Sequence, residues 1–412
     1  MTLPIIEIPE NISALCKPYQ PIFSRPQYNQ FERYITSLFV SDKADIQSLS
    51  EGYKISQSYD SLHNFVSESP WDINNVLEKT VSIIKNLPEG ERFHEDGLLI
   101  IDDSLIEKFG KAMELAGKLY DHSQQRYLEF AHCLIGLCWT DSKKLRYPLM
   151  FDVYRKQQDY TDEDLLEFKT KIQIATEMID WAVTQGIPFK CVIFDSWYFC
   201  KEFCDHIENL GKDWISMSKS DRKLTYKGKK YTCSTFSQEL KPENLQSTKV
   251  KNNEYKIESV QAVFECLKRD KKTVRLVVSY EQKEDGSYKD PVYLVSNNKD
   301  LRPESLLIAY SLRWSIETFF RDAKTELGLG DYQMRKEIGI KSHWCLVFTS
   351  AVILELIKWK TCREEGLDKS KMSFGELKRR TFGQTLRQLI RTTIELYKDN
   401  LREEDIFLRL KI

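Results

Sequence analysis

The chain has 412 residues, enough for two or three structural units, and its 41% hydrophobic and 12% aromatic content can fill a sizeable core. Its formal net charge of −1 excludes a uniformly basic surface, so any affinity for nucleic acid must come from local clusters. No run approaches the ~18 uninterrupted apolar residues of a membrane span. The acidic start MTLPIIEIPENI also lacks the regions of a secretion signal, so a cytoplasmic protein with no membrane contact is expected.

Residues 1–92 read as helical. In PQYNQFERYITSLFV (26–40), Phe31, Tyr34, Ile35, Leu38 and Phe39 recur at helical spacing. SLHNFVSESPWDINNVLEKTVSIIKNL reads as a helix, a break and a second helix, with Ser69 as N-cap and Pro70 at the first helical position. The character changes at 93–219. LLIID (98–102) is a short apolar run ending in acid, hence a buried strand, and RYLEFAHCLIGLCW (126–139) and YPLMFDVY (147–154) are two more. A long amphipathic helix follows over 162–186, closed by Gly186. Then come the strand FKCVIFD (189–195), a short helix through Gly211, and the strand WISMSK (214–219). That β-β-β-α-β-α-β order is the RNase H-like order, an α/β fold.

Residues 220–298 are strand-rich, with a turn at EDGSY, and read as a β-rich insertion into that core. The core resumes over 299–361 as helix, and 362–412 form a helical, basic C-terminal tail. Residues 371–398 hold seven Lys/Arg against two Glu, and DRKLTYKGKKY (221–231) is also basic. A solvated face explains either run equally well. On a helix, Arg380, Arg387 and Arg391 form one stripe. The ten cysteines contain no CxxC pair, and most sit in apolar runs, so they read as buried thiols.

Two of the strands end in aspartate: Asp102 (or its neighbour Asp103) and Asp195. A carboxylate at a strand's C-terminal end lies at the sheet edge, where α/β folds place their sites. The third element is AYSLRWSIETFFRDAKTELGLG. Taken as one helix, Tyr310, Arg313, Glu317 and Lys324 fall near ~0°, ~300°, ~340° and ~320°, one narrow face, while Glu326 falls on the opposite side. An acid, two cations and a phenol on one face suit a phosphate grip beside a metal. A solvated face with i,i+4 ion pairs accounts for the geometry equally well.

The pattern YxxRxxxExxxxxxK formed by these four residues resembles the signature of DDE transposases of the IS4 superfamily. The segment LHNFVSESPWD resembles the N-terminal region of the IS701 family within that group. The resemblance spans most of the chain, and it implies a DNA-cutting and strand-joining enzyme with a helical N-terminal DNA-binding region. Glu317 matches the last acid of the triad, and Asp195 in VIFDSWY matches the second. IDDS matches the D-x-[ST] form of the first, which favours Asp102 over Asp103, with Ser104 in place of the commoner Thr. The resemblance further implies two Mg²⁺ ions, with Mn²⁺ as substitute, Asp102 bridging them and Asp195 and Glu317 holding one each. Arg313 and Lys324 would contact DNA phosphates and Tyr310 would organise the cut end. The partners implied are double-stranded DNA, both element terminal inverted repeats and target, and a second copy in a homodimeric synapse. Oxygen ligands suit such hard cations, whereas thiolate and imidazole sets suit zinc. Two other readings remain open at this point: a domesticated DNA-binding protein, and an RNase H-like nuclease that never joins strands.

Overall fold

A computed structural model describes residues 5–52, 58–110, 112–160, 168–250, 253–268 and 272–410. The N-terminal part is helical: α1 (Glu10–Cys16), α2 (Arg25–Val40), α3 (Ile46–Glu51), α4 (Tyr59–Ser67) and α5 (Ile73–Lys85). Helix α2 starts with a reciprocal capping box between Ser24 and Gln27, and Phe31, Tyr34, Ile35, Leu38 and Phe39 are buried as their spacing requires. The cap expected at Ser69 is displaced. Asp72 caps α5, its carboxylate accepting from Asn74 N at 2.8 Å, while Trp71 inserts between α4 and α5 and donates its indole N–H to Phe65 O. Burying that large ring on Phe65 pushes the start of α5 three residues downstream.

Strands β1 (Leu98–Glu107), β2 (Gly117–Asp121), β3 (Arg126–Thr140) and β4 (Arg146–Tyr154) form antiparallel pairs about β3. After them come α6 (Lys171–Thr184), β5 (Cys191–Phe194), α7 (Lys201–Asn209) and β6 (Asp213–Ser218). β5 runs parallel to β1, and β6 runs parallel to β5. Part of the helix expected over 162–186 lies outside the described residues. Its described part begins at a Thr170–Gln173 capping box and ends before Gly186, which takes the left-handed φ of +58° that closes a helix cheaply. Strand β2 is not anticipated by the sequence, because GKLYD is too short and polar to show alternation.

The stretch 220–298 is strand-rich as expected: β7 (Lys223–Tyr226), β8 (Lys229–Thr232), the short α8 (Cys233–Gln238), β9 (Gln246–Val250), β10 (Asn253–Phe264), β11 (Val274–Glu281) and β12 (Val292–Ser296). These strands are not a separate layer. β12 pairs antiparallel with β6, so they extend the same sheet to twelve strands in the order β2-β3-β1-β5-β6-β12-β11-β10-β7-β8, with β4 on β3 and β9 on β10. The C-terminal helices are α9 (Pro303–Ser311), α10 (Trp314–Glu326), α11 (Glu337–Glu365), α12 (Phe374–Lys398) and α13 (Glu403–Leu410).

Two cores lie on opposite faces of the sheet. One joins Leu98 and Ile100 of β1 to α10, α11 and the N-terminal helices; the other joins Leu99 and Ile101 to α6 and α7. Alternation along a strand produces this division. Helix α11 is long and apolar enough to cross a membrane, yet 94% of its apolar window is buried inside the protein against α2, α4, α5 and β4, which makes it a core helix. All ten cysteines are free; eight are buried, and Cys200 and Cys266 are half-buried.

Candidate active site

The site starts from strand register. Ile101 of β1 sits beside Phe194 of β5, so Asp102 and Asp195, one step further on, leave adjacent parallel strands side by side. Asp102 follows Ile100 in facing α10, and Asp103 faces the opposite side with Ile101. The contacts agree. Arg313 donates to Asp102 Oδ2 at 2.6 Å, whereas Asp103 Oδ2 accepts from Lys171 at 2.9 Å and lies 3.4 Å from Cys133 Sγ. Asp103 thus ties the start of α6 to β1 beneath the sheet.

Helix α10 brings the third acid. Arg313 also pairs with Glu317 one turn on, so a single guanidinium stands between Asp102 and Glu317. All three side chains are largely withdrawn from water, at 15%, 18% and 29% exposure for Asp102, Arg313 and Glu317. Burial pushes the Asp102 carboxyl up to about 7; Arg313 opposes this, and the nearby Asp195 and Asp103 charges add to it. Asp195 is likewise raised by burial, against the hydrogen bond that its Oδ1 accepts from Trp197 N at 2.8 Å.

Tyr310, Arg313 and Glu317 converge, but not on one continuous helix. Tyr310 lies in the last turn of α9, Arg313 lies in a turn, and Glu317 is on α10. Bonds from Leu312 N to Ala309 O, Arg313 N to Tyr310 O, Ser315 N to Leu312 O and Ile316 N to Arg313 O all span three residues. This tight winding advances ~120° per residue rather than ~100°. The buried Tyr310 hydroxyl has no partner in hydrogen-bonding geometry among the described residues; its nearest polar neighbour is Arg313, whose guanidinium lies 5.7 Å from the ring centre. Lys324 does not join the carboxylates. Its ammonium donates to Leu105 O at 2.8 Å, three residues beyond Asp102, and burial lowers its pKa. Glu326 lies far round the helix, where its carboxylate packs near Gly375 and its carbonyl accepts from Lys378.

Three supporting residues are not evident from the sequence. Gly136 faces Asp102 across the β1–β3 ladder, and a Cβ there would stand 2.8 Å from Phe320 Cζ, so glycine lets α10 lie against the sheet. An isolated glycine in an apolar strand is the signal that could have revealed it. Lys108, buried at the end of β1, donates to Gly330 O at 2.5 Å and Tyr332 O at 2.7 Å, fastening the segment after α10. Arg146 on β4 reaches Asp322 of α10 at 2.9 Å and Glu355 of α11 at 3.0 Å.

A divalent cation is chemically compatible with this donor set. The groups offered are carboxylate oxygens, and their mutual repulsion and burial are what a positive charge relieves. Arg313 already places one cation between Asp102 and Glu317. Among the described residues no three metal-ligating side chains stand close enough together to hold an ion.

A sequence model of the DDE superfamily endonucleases matches residues 19–261, more than half of the chain. The chain belongs to the DDE superfamily of endonucleases. A probable transposase for insertion sequence element IS701 from Microchaete diplosiphon is 23% identical over 342 residues, covering 78% of this chain and 81% of that protein. The stretch matched by the superfamily model contains Asp102 and Asp195 and ends before Glu317. A span of 78% of the chain cannot avoid the region from Asp102 to Glu317, so the matched stretch includes the segment that carries Glu317. Together these findings support a transposase function for this DDE endonuclease, a DNA-cutting enzyme of the metal-dependent type.

Proposed function

We propose that this DDE endonuclease is the transposase of an insertion sequence, with Asp102, Asp195 and Glu317 as its catalytic carboxylates. It binds terminal inverted repeats, cuts the DNA at the element's ends and joins the freed 3′-OH to target DNA as a homodimer in the synapse. The observation that carries this reading is the convergence of Asp102 and Asp195, from adjacent parallel strands, beneath the Arg313–Glu317 pair. The order β4-β3-β1-β5-β6, antiparallel on one side of β1 and parallel on the other, supports an RNase H-like core over 93–219 and 299–361. Residues 220–298 are then an insertion that lengthens its sheet, residues 1–92 a helical DNA-binding region, and 362–412 a helical tail.

Asp102, Asp195 and Glu317 would hold Mg²⁺, with Mn²⁺ as substitute. When bound, two such ions supply charge neutralisation at the attacking and leaving oxygens of the phosphodiester. The chain's own groups do the rest. Arg313, released from the carboxylates, offers a forked grip for a phosphate. Tyr310 brings a buried hydroxyl, beside Arg313 and without a well-placed partner among the described residues, that a DNA oxygen can engage. Lys324 supplies a point charge at the β1 end of the site. The test is a joining assay with pre-cut ends from the DNA flanking the chain's own gene. Joined product that needs Mg²⁺ supports transposition; cutting of uncut ends with no joining of pre-cut ones would identify a nuclease instead.

A further inference from the structure

About 100° around α10 from Glu317, two depressions adjoin, of 350 Å³ and 550 Å³. Lys144 and Lys358 line both. The first reaches the turn that carries Arg313 and is walled there by Trp314, which is 63% exposed. Their cations are Lys143, Lys144, Arg146, Arg321, Lys358 and Lys369, against the three carboxylates Asp322, Glu355 and Asp368. An excess of positive charge on a chain whose total is −1 is a local feature that the composition hides. Asp322 and Glu355 are already engaged by Arg146. Among the described residues, Lys143, Lys144 and Lys369 make no ion pair, although the Lys369 ammonium rests over the Trp359 ring and has Glu91 and Asp141 nearby.

The backbone at Lys144 adds an independent observation. It closes the β3–β4 hairpin, its N–H donating to Asp141 O at 3.0 Å, with a left-handed φ of +62°. Glycine or asparagine would adopt that conformation at less cost. Lys227 and Lys268 share that conformation, but only Lys144 sets it at the point where the two depressions meet, which holds its backbone in a fixed turn there.

We propose that this surface grips the sugar-phosphate backbone of the duplex as it leaves the active site, contacting about three successive phosphates through Lys143, Lys144 and Lys369. The proposal rests on the transposase reading and adds the place where the DNA runs. A polyanion matches a cation cluster that reaches the Arg313 turn through Lys144, where a phosphate would draw Lys369 off the Trp359 ring, and such contacts carry no base information.

The test uses the full chain and a duplex bearing the element's end, with binding measured across a salt series. Every phosphate that a variant no longer neutralises should flatten the slope of log K against log salt by about 0.9. Lys143→Gln, Lys144→Gln and Lys369→Gln combined should flatten it by between about two and three units, on end DNA and unrelated duplex alike. Lys144→Gly alone should flatten it by about one unit while leaving the melting temperature equal or higher, which separates a role in binding from misfolding. An unchanged slope in the triple variant, with wild type binding normally, overturns the proposal and leaves the transposase reading standing. Wild-type protein that does not bind end DNA defeats that reading, and this inference with it.

Discussion

Successive side chains of a strand leave opposite faces of a sheet, and in β1 that rule separates two adjacent acids. Asp102 meets Arg313, and Asp103 meets Lys171. Asp103→Asn should therefore loosen the start of α6 and lower stability without abolishing cutting, as thermal unfolding and a cleavage assay on one sample would establish. Full loss of cutting with unchanged stability would transfer the catalytic role to Asp103. Asp102 carries a second expectation. Folded, it holds its proton up to about 7, against 3.8 for the ordinary carboxyl. Between these values the folded state binds more protons, so stability falls as pH rises through that window and stays lower above it. Asp102→Asn should remove this loss, and Mg²⁺ should raise the wild-type midpoint more at about pH 8 than at about pH 5. Superimposable pH profiles for the two proteins would show that Asp102 is not the strained group. The residue types and order of this site were legible in the sequence. Arg313 bridging two of the acids was not, because a side-chain contact between β1 and α10 leaves no trace in spacing.

At the scale of elements, amphipathic segments announced themselves and breaks did not. The α9–α10 region reads as one helix, since each residue taken alone is compatible with helix, yet three-residue hydrogen bonds tighten it at Leu312 and Arg313. The tightening turns Arg313 onto Asp102 and leaves Lys324 on the Leu105 carbonyl. What seats α10 on the sheet is Gly136 beneath Phe320 and Ile316. Gly136→Val should cost about 1–3 kcal/mol by overpacking. It should also raise the Mg²⁺ needed for half-maximal cutting, because α10 carries Glu317. A urea titration and a Mg²⁺ titration of cutting check the two parts; wild-type Mg²⁺ dependence in a destabilised variant would mean that α10's seating does not govern the site. At α5, Asp72→Ala should cost about 1 kcal/mol and Ser69→Ala little, the reverse of what the sequence suggests.

For the molecule as a whole, one sheet runs from β2 to β8 and holds the strands that carry Asp102 and Asp195 near one end and the strand-rich stretch at the other. The presence of strands in 220–298 was legible, but their continuity with the core was not, because β12 pairs with β6 across more than seventy residues of chain. Charge was the least legible property. Arg380, expected in a stripe with Arg387 and Arg391, is engaged by Glu365 at 2.7 Å and by Glu376, so α12 has less free charge than its composition suggests. The central claim is that Asp102, Asp195 and Glu317 together cut DNA. It is tested most directly by measuring Mg²⁺-dependent cleavage of element-end duplex by Asp102→Asn, Asp195→Asn and Glu317→Gln, with Glu326→Gln as control and end binding followed in parallel. Forfeiting several kcal/mol of charge stabilisation should slow each of the three by roughly 10³ or more with binding retained, while the control cuts normally. Normal cutting by any of the three, loss of cutting in Glu326→Gln, or wild-type cutting that survives EDTA would contradict it.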